Sequence, residues 1–400
     1  MRLYKMELYK LCHKKSFLAG FLAVLLIGLF FFCEDVQQQY CVINGTEYTG
    51  WKAIRANRQI TEEYRGILTD EKVSRIVEQY GFPSGEPDRY TRLSCNFLND
   101  FVMKYVSDGY NNGWDDYRLA TKTIPLADSE LGRYHAAAGM DIRLEYYDGW
   151  TSFLDQHGVL MLGISMLILY SISIVFSEEE QAGMKSLLFT AKKGPSADTL
   201  AKIAAAFSIS AGVWLLSVSF YLLLYCIVYG TDGLHCMASL LSFYRFRETP
   251  LLMQPAGNYL AARLFASLLA VLELCAITIC VSARCRSSFH AIVTAGICYA
   301  MPFLGFVLFQ SGIALITIYQ RSHQLQPALQ TLLVDLLYLI NRLVFSSPAY
   351  LMCDRDVLLE IAGIGPTGMK NISVILSLAA MLSALCTLGA YRRYRKTPVL

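Results

Sequence analysis

Long runs of apolar residues alternate with polar segments along the 400 residues of the chain. A helix needs about 20 apolar residues to cross the core of a bilayer. Six runs come close to that length or exceed it. The pattern therefore predicts a mainly α fold, a polytopic bundle of six transmembrane helices, with a small α+β domain between the first two. The predicted spans are 17–33, 157–176, 203–229, 264–281, 291–319 and 371–390.

The first span is predicted to stay in the membrane as an anchor. A cleavable signal peptide ends in a small-residue cleavage pattern. Here the apolar run continues through Phe31, Phe32 and Cys33 into Glu34 and Asp35, where no such pattern occurs.

Residues 34–156 form the longest polar segment, with mixed helix and strand signals. Thr69 precedes a helical pattern that ends at Gly81, and residues 94–106 indicate a second helix. Residues 141–146 alternate between apolar and polar, as a strand does. We therefore expect a folded extracellular domain of about 100 residues. Turn signals lie at Asn111-Asn112-Gly113 and Asp148-Gly149.

Lysine and arginine residues gather in segments that six spans would place on one side of the membrane. These segments are 1–16, 177–202, 282–290 and 391–400. Basic residues beside the spans mark the cytoplasmic side. The expected topology is a multi-pass plasma-membrane protein with both termini in the cytoplasm. Residues 34–156, 230–263 and 320–370 would then lie outside.

Residues 329–345, within the outer segment 320–370, test this topology because they are nearly apolar enough for a seventh span. They carry Asp335 and Arg342, which share one helical face with two other polar residues. A seventh span would also place the basic C-terminal tail outside. We therefore predict an amphipathic helix that lies on the outer surface or dips into the membrane without crossing it.

Composition supports a membrane protein and excludes other classes. Hydrophobic residues make up 54% of the chain and charged residues only 17%, against about a quarter in soluble domains. A net charge of +3 is too small to indicate a nucleic-acid partner. Of the twelve cysteines, Cys41 and Cys95 lie in the large polar segment, where they could form a disulfide if the segment faces an oxidising compartment.

Glu273 is an acidic residue inside a predicted span. Carboxylates within the membrane are costly and usually face a cavity or a partner. Three interpretations stay open. Glu273 could line a translocation path, it could pair with Arg263 or with another helix, or it could be satisfied at a helix–helix contact.

The sequence contains none of the common catalytic or nucleotide-binding motifs, and we expect no enzyme activity, cofactor or metal on this chain. Walker-type phosphate loops, HExxH and GxSxG are absent, and the six histidines are isolated. Residues 363–368 match GxGxxG, but they follow a helical pattern and lead into the last span. That context predicts a loop and not a dinucleotide site.

The segment after the second span, FSEEEQAGMKSLLFTAKKG at 176–194, is the most informative part of the sequence. It resembles the first cytoplasmic loop of type 2 ATP-binding-cassette permeases, especially those of Gram-positive bacteria. An amphipathic N-terminal helix, a large outer segment and a helical insertion before the last span add to the resemblance. The residues that match the family's coupling loop are Glu179, Gly183, Leu187, Leu188, Gly194 and Lys202. Pro195 departs from the pattern, since the family often has a basic residue there.

The resemblance implies the permease subunit of an exporter that moves a hydrophobic or peptide-like substrate outward. ATP and Mg²⁺ would bind a separate ATPase subunit, and the permease would pair with a second permease chain as a homodimer or heterodimer within the lipid. A helix in the loop could dock into the ATPase and rock the attached spans, as alternating access requires.

Two other classes of function stay open from the residues. The chain could be a membrane sensor or scaffold whose extracellular domain binds a ligand. It could also be an intramembrane enzyme that uses Glu273, although the sequence offers it no paired catalytic residues.

Overall fold

A computed structural model describes residues 2–84, 94–111, 117–183, 194–242, 249–321, 327–362 and 368–396. These residues form fourteen α-helices and six short strands. The helices are α1 Arg2–Cys12, α2 Lys15–Gln38, α3 Trp51–Tyr64, α4 Asp70–Tyr80, α5 Phe97–Tyr105, α6 Glu130–Ala138, α7 Asp148–Gln181, α8 Gly194–Tyr229, α9 Ala256–Ser282, α10 Ser288–Arg321, α11 Pro327–Phe345, α12 Pro348–Cys353, α13 Val357–Ala362 and α14 Gly368–Lys396. The strands are β1 Tyr40–Ile43, β2 Thr46–Thr49, β3 Gly66–Ile67, β4 Tyr110–Asn111, β5 Tyr117–Arg118 and β6 Arg143–Leu144.

Six of these helices are long and apolar enough to cross a membrane: α2, α7, α8, α9, α10 and α14. They coincide with the six spans predicted from the sequence, so the prediction of a mainly helical, multi-pass membrane protein is confirmed. All six helices extend beyond the predicted spans, for example α7 at 34 residues and α8 at 36. Among the described residues α11 is not one of the six, and how it meets the bilayer stays a prediction.

The chain divides into two compact units. The first unit comprises residues 1–28, 157–220 and 263–400, and the second comprises 29–156 and 221–262. Helices α2, α7, α8 and α9 contribute residues to both units.

In the first unit, small residues bring α7 and α9 together. The Ser282 hydroxyl donates to the carbonyl of Ser173 at 2.6 Å and accepts from the backbone N–H of Phe176 at 3.1 Å and of Ser177 at 3.3 Å. Small polar residues are typical of membrane helix contacts, since they allow close approach and bond across the interface. The contact fixes the end of α9 against α7.

Arg263, near the start of α9, is 1% exposed and holds α12 in place. Its guanidinium donates to the carbonyls of Leu351 at 2.7 Å and Met352 at 2.8 Å. These carbonyls belong to the last turn of α12, where carbonyl groups have no hydrogen-bond donors within their own helix. On α7, a Cβ at Gly158 would lie 2.4 Å from the carbonyl oxygen of Cys353, so glycine is required for this contact.

Helices α10 and α11 form an antiparallel hairpin in the first unit. Gly305 and Gly312 of α10 lie against Val344 and Leu337 of α11, and a Cβ at either glycine would approach the opposing side chain to 2.7 Å. The opposite face of α11 is an exposed leucine stripe: Leu332, Leu336, Leu339 and Leu343. The prediction of a helix at 329–345 is confirmed, because these residues lie within α11.

The second unit contains the domain between α2 and α7, residues 39–147, here called the inter-span domain. Its strands pair antiparallel as β1–β2, β3–β6 and β4–β5. The predicted helix at 69–81 is confirmed, because Thr69 caps α4 by accepting from the N–H of Lys72 and Gly81 ends it at φ 67°. The predicted helix at 94–106 is α5, which starts later, since Asn96 is its N-cap. Of the predicted strand 141–146, two residues pair, as β6.

The prediction of a turn at Asp148-Gly149 is wrong, because both residues open α7. Gly149 is needed for close packing and not for a turn. A Cβ at this position would lie 2.4 Å from the Cβ of Tyr229, so α7 and α8 touch here only because Gly149 has no side chain. At the other turn signal, Asn112 and Gly113 lie outside the described residues, although β4 and β5 on either side pair as a hairpin.

Candidate functional site

A lysine with no solvent exposure lies near the start of α8, surrounded by carboxylates. The ammonium of Lys202 is 3.1 Å from Glu7, 2.7 Å from Asp198 and 3.1 Å from Glu179. We call this group, together with Lys10 and Tyr394, the Lys202 cluster. A buried charge is tolerated only when it is paired and hydrogen-bonded, and here the ammonium donates to Glu7 and Asp198 and forms an ion pair with Glu179.

Four helices supply the cluster. Asp198 and Lys202 are four residues apart and therefore lie on the same face of α8. On α1, Glu7 and Lys10 are three residues apart and point to the same side for the same reason. Glu179 comes from the last turns of α7.

Glu179 is the most highly connected carboxylate of the cluster. Its Oε1 is 3.2 Å from Lys10 and 3.1 Å from Lys202, and its Oε2 accepts from the Tyr394 hydroxyl of α14 at 3.2 Å. The Tyr394 ring packs 4.4 Å, centroid to centroid, from Phe176. Through Glu179 the ends of α1, α7, α8 and α14 are bound to one another. Beside the cluster, Lys14 also pairs with Glu178.

The arrangement is suited to holding helices together. Its members are carboxylates, ammonium groups and one phenol, all engaged with each other. Among the described residues there is no group of acids, cysteines and histidines that could hold a metal ion. Removing one partner of a buried ion pair is costly, because the other charge stays behind in a poorly solvating environment. Displacement of one helix would therefore be resisted by, or transmitted to, the other three.

The structure brings together two of the residues that the sequence motif singled out, since Glu179 and Lys202 are in direct contact. Gly183 and Gly194 flank the part of the loop that lies outside the described residues, 184–193, which includes Leu187 and Leu188. Gly183 follows the end of α7 with a left-handed φ of 67°, and Gly194 is the first residue of α8. An L side chain at Gly183 would strain the backbone.

Glu273 is 1% exposed and lies within α9, packed in the first unit. Its Oε2 has no hydrogen-bond partner among the described residues. The interpretation that pairs Glu273 with Arg263 is wrong, because the guanidinium of Arg263 binds the end of α12. Whether Glu273 lines a translocation path stays a prediction.

Cys41 and Cys95 are not joined by a disulfide, and the described residues contain no other disulfide. Cys95 lies beside β1, the strand of Cys41, since the N–H of Val42 donates to the carbonyl of Cys95 at 2.7 Å. The sulfurs are directed elsewhere, that of Cys41 to the carbonyl of Ala53 and that of Cys95 to Asp100 at 3.1 Å. Burial raises the pKa of Cys41 to about 12, which disfavours the thiolate needed to form a disulfide.

Sequence reasoning missed four members of the cluster as site residues: Glu7, Lys10, Asp198 and Tyr394. The spacings Glu7–Lys10 and Asp198–Lys202 were a usable signal, because acids and bases three or four residues apart share a helix face. Nothing local marked Tyr394, which reaches Glu179 across 215 positions of the chain.

A row of tyrosines on α8 in the second unit was also missed. Tyr221, Tyr225 and Tyr229 recur every four residues and are buried. Tyr225 packs 5.0 Å from Phe32, and the Tyr229 hydroxyl donates to Asp35 at 2.6 Å. The four-residue spacing within an apolar run was the available signal.

Comparison with known proteins assigns no function to this chain. No family model matches it, and no curated protein or solved structure matches it either. The loop motif and the geometry of the Lys202 cluster are therefore the features that bear on its function.

Proposed function

We propose that the chain is the permease subunit of an ATP-binding-cassette exporter. The observation that carries this proposal is the contact between Glu179 and Lys202, two residues of the loop that resembles the coupling loop of type 2 permeases. A loop that only joined two spans would not need a buried ion cluster at its base. A loop that receives force from a partner does need one, because the helices on either side must move together.

The mechanism follows from this connection. An ATPase subunit docks on residues 184–193 in the cytoplasm and moves when it binds and hydrolyses ATP with Mg²⁺. Gly183 and Gly194 bound the docking segment, and the Lys202 cluster passes the displacement of α7 and α8 to α1 and α14. The spans then expose a hydrophobic or peptide-like substrate to the outside. A second permease chain completes the translocation path in the plasma membrane.

The proposed topology places the Lys202 cluster and both termini in the cytoplasm, with the inter-span domain outside the cell. The basic residues of segments 1–16, 177–202, 282–290 and 391–400 support this orientation.

The test is to purify the tagged chain from its native host in mild detergent and to identify the proteins that accompany it. We expect a stoichiometric ATP-binding-cassette ATPase. Glu179→Ala and Gly183→Trp should reduce its recovery, whereas Glu71→Gln, an exposed change in the inter-span domain, should not. Purification without any ATPase would contradict the proposal.

A second candidate function is a membrane sensor whose extracellular domain binds a ligand. A cavity in the second unit, lined in part by Asn96 and Asp100, favours it. The purification separates the two, because a sensor would be recovered without an ATPase and would keep its ligand binding.

A further inference from the structure

A cavity of about 330 Å³ opens in the second unit, between α5, the first turns of α7 and the residues before β1. This volume is within the range of small-molecule sites in proteins. The lining residues that matter for recognition are Asn96, Phe97, Asp100, Phe101, Asp148 and Thr151.

Two polar groups in the cavity wall have hydrogen-bonding capacity that the described residues leave unused. Asn96 is 2% exposed, and its Oδ1 accepts from the N–H of Asn99 as the cap of α5, at 3.0 Å. Its amide Nδ2 is buried without a partner among the described residues, and so is the hydroxyl of Thr151. Buried donors without acceptors are rare and unfavourable. A ligand oxygen in the cavity would satisfy Nδ2.

Acidic side chains outnumber basic ones in the described part of the cavity lining. Asp100 and Asp148 both line the cavity, and Lys104 is the one basic side chain among the described lining residues. Asp100 also accepts a hydrogen bond from the thiol of Cys95 at 3.1 Å. Two carboxylates against one ammonium favour a cationic ligand over an anion.

One wall of the cavity is aromatic. The Phe97 ring lies 5.1 Å from the Tyr147 ring in an edge-to-face arrangement, and Phe101 lies 6.4 Å from the same ring. Aromatic faces attract both apolar groups and cations. The wall therefore suits a ligand that carries an apolar group beside its charge.

We propose that this cavity binds an amphipathic primary amine with a carbonyl oxygen close to the ammonium group, as in the first residue of a peptide. The ammonium lies between Asp100 and Asp148, the carbonyl oxygen accepts from Asn96 Nδ2, and the apolar side chain lies along the aromatic wall. The site does not depend on the exporter function, since all its residues belong to the second unit.

The test is calorimetric titration of the full chain in lipid nanodiscs with L-phenylalaninamide, which has all three features. N-acetyl-L-phenylalaninamide is the comparison probe, because acetylation removes the positive charge, and 3-phenylpropanamide, which lacks the amino group and adds no bulk, controls for the added acetyl group. We expect saturable binding of the amine and at least tenfold weaker binding of the acetylated probe. Asp100→Asn should weaken binding of the amine by a similar factor, and the exposed Glu71→Gln should leave it unchanged.

Two conservative variants keep the test valid if Asp100→Asn fails to fold. Asn96→Ser retains an N-cap oxygen for α5 and removes only the amide donor. Thr151→Val keeps the shape and removes the hydroxyl. Each should weaken binding of the amine severalfold without changing the unfolding temperature. Absence of binding to the wild type at millimolar amine, or equal binding of the acetylated probe, would overturn the proposal.

Discussion

At the scale of single residues, burial decides which charged groups matter. Lys202 has no exposed side-chain surface and three carboxylate partners, whereas Lys14 is 24% exposed and pairs with Glu178, which is 45% exposed. Water screens the second pair and stabilises each partner when the other is lost. A lysine–carboxylate pair therefore contributes more to stability in the Lys202 cluster than between Lys14 and Glu178.

Replacement of Lys202 by methionine should destabilise the protein strongly. The substitution keeps the length of the side chain but leaves the buried carboxylates of Asp198 and Glu179 without the Lys202 charge, which costs about 3–5 kcal/mol for a broken buried pair. Lys14→Met should cost less than about 1 kcal/mol. Thermal unfolding in detergent measures both, and equal shifts would show that the buried cluster carries no special stability.

His135 should make the inter-span domain sensitive to acid. Its side chain is 1% exposed, and burial lowers its pKa below the ordinary value of 6.5. The unfolded state then binds a proton more readily than the folded state, so stability is fully present above pH 6.5 and is lost as the pH falls towards the folded-state pKa. Hydrogen exchange of α6 should show this loss of stability between pH 7.5 and pH 5.5, which lie about one pH unit on either side of the ordinary pKa.

The control for this prediction is His135→Leu, which fills the same buried space without a titratable group. Exchange in this variant should depend less on pH once the intrinsic chemical rate is corrected. An unchanged dependence would assign the acid sensitivity to another group.

At the scale of elements, helices meet where glycine allows them to. Gly149 permits the contact between α7 and Tyr229 of α8, and Gly158 permits the contact between α7 and the end of α12. Elsewhere a helical glycine such as Gly212 faces open space, with no atom within 4 Å of a Cβ at that position. Helical glycines in this chain therefore have opposite roles that only their surroundings distinguish.

Gly149→Ala and Gly212→Ala form a matched pair that tests this difference. The first places a methyl group 2.4 Å from the Cβ of Tyr229 and should destabilise by about 1–3 kcal/mol through overpacking. The second should be neutral or stabilise by up to about 1 kcal/mol, because alanine favours a helix. Thermal unfolding of both variants is the measurement, and equal effects would contradict the packing argument.

The sequence predicted elements well where their signals are local. The helix from Asp70 to Tyr80 was predicted because its cap, Thr69, and its stop, Gly81, lie beside it. Asp148-Gly149 was misread because the reason for the glycine is Tyr229, which lies 80 positions away. Glu179 and Lys202 were found as separate motif positions, but the cluster joins residues up to 215 positions apart, and no local pattern encodes such contacts.

At the scale of the whole molecule, the proposed exporter function requires that force entering at one loop reaches the spans. Gly183 is the point where α7 ends, and its left-handed φ of 67° orients the loop that follows. Gly183→Trp should leave membrane insertion intact and lower substrate-stimulated ATP hydrolysis by the reconstituted complex. Gly212→Trp is the control, because it places the same bulky side chain on α8, away from the loop, where no atom lies within 4 Å of a Cβ. Full coupling in the Gly183 variant would count against the proposed role of the loop.

Helix α8 also restricts how this chain can change in evolution. Near its end it presents Tyr221, Tyr225 and Tyr229, spaced four residues apart, to partners within the second unit. A residue inserted or deleted within this row would turn the tyrosines beyond it by about 100° around the helix axis. Homologous chains should therefore keep the length of the segment 221–229, and single-residue gaps should fall outside it.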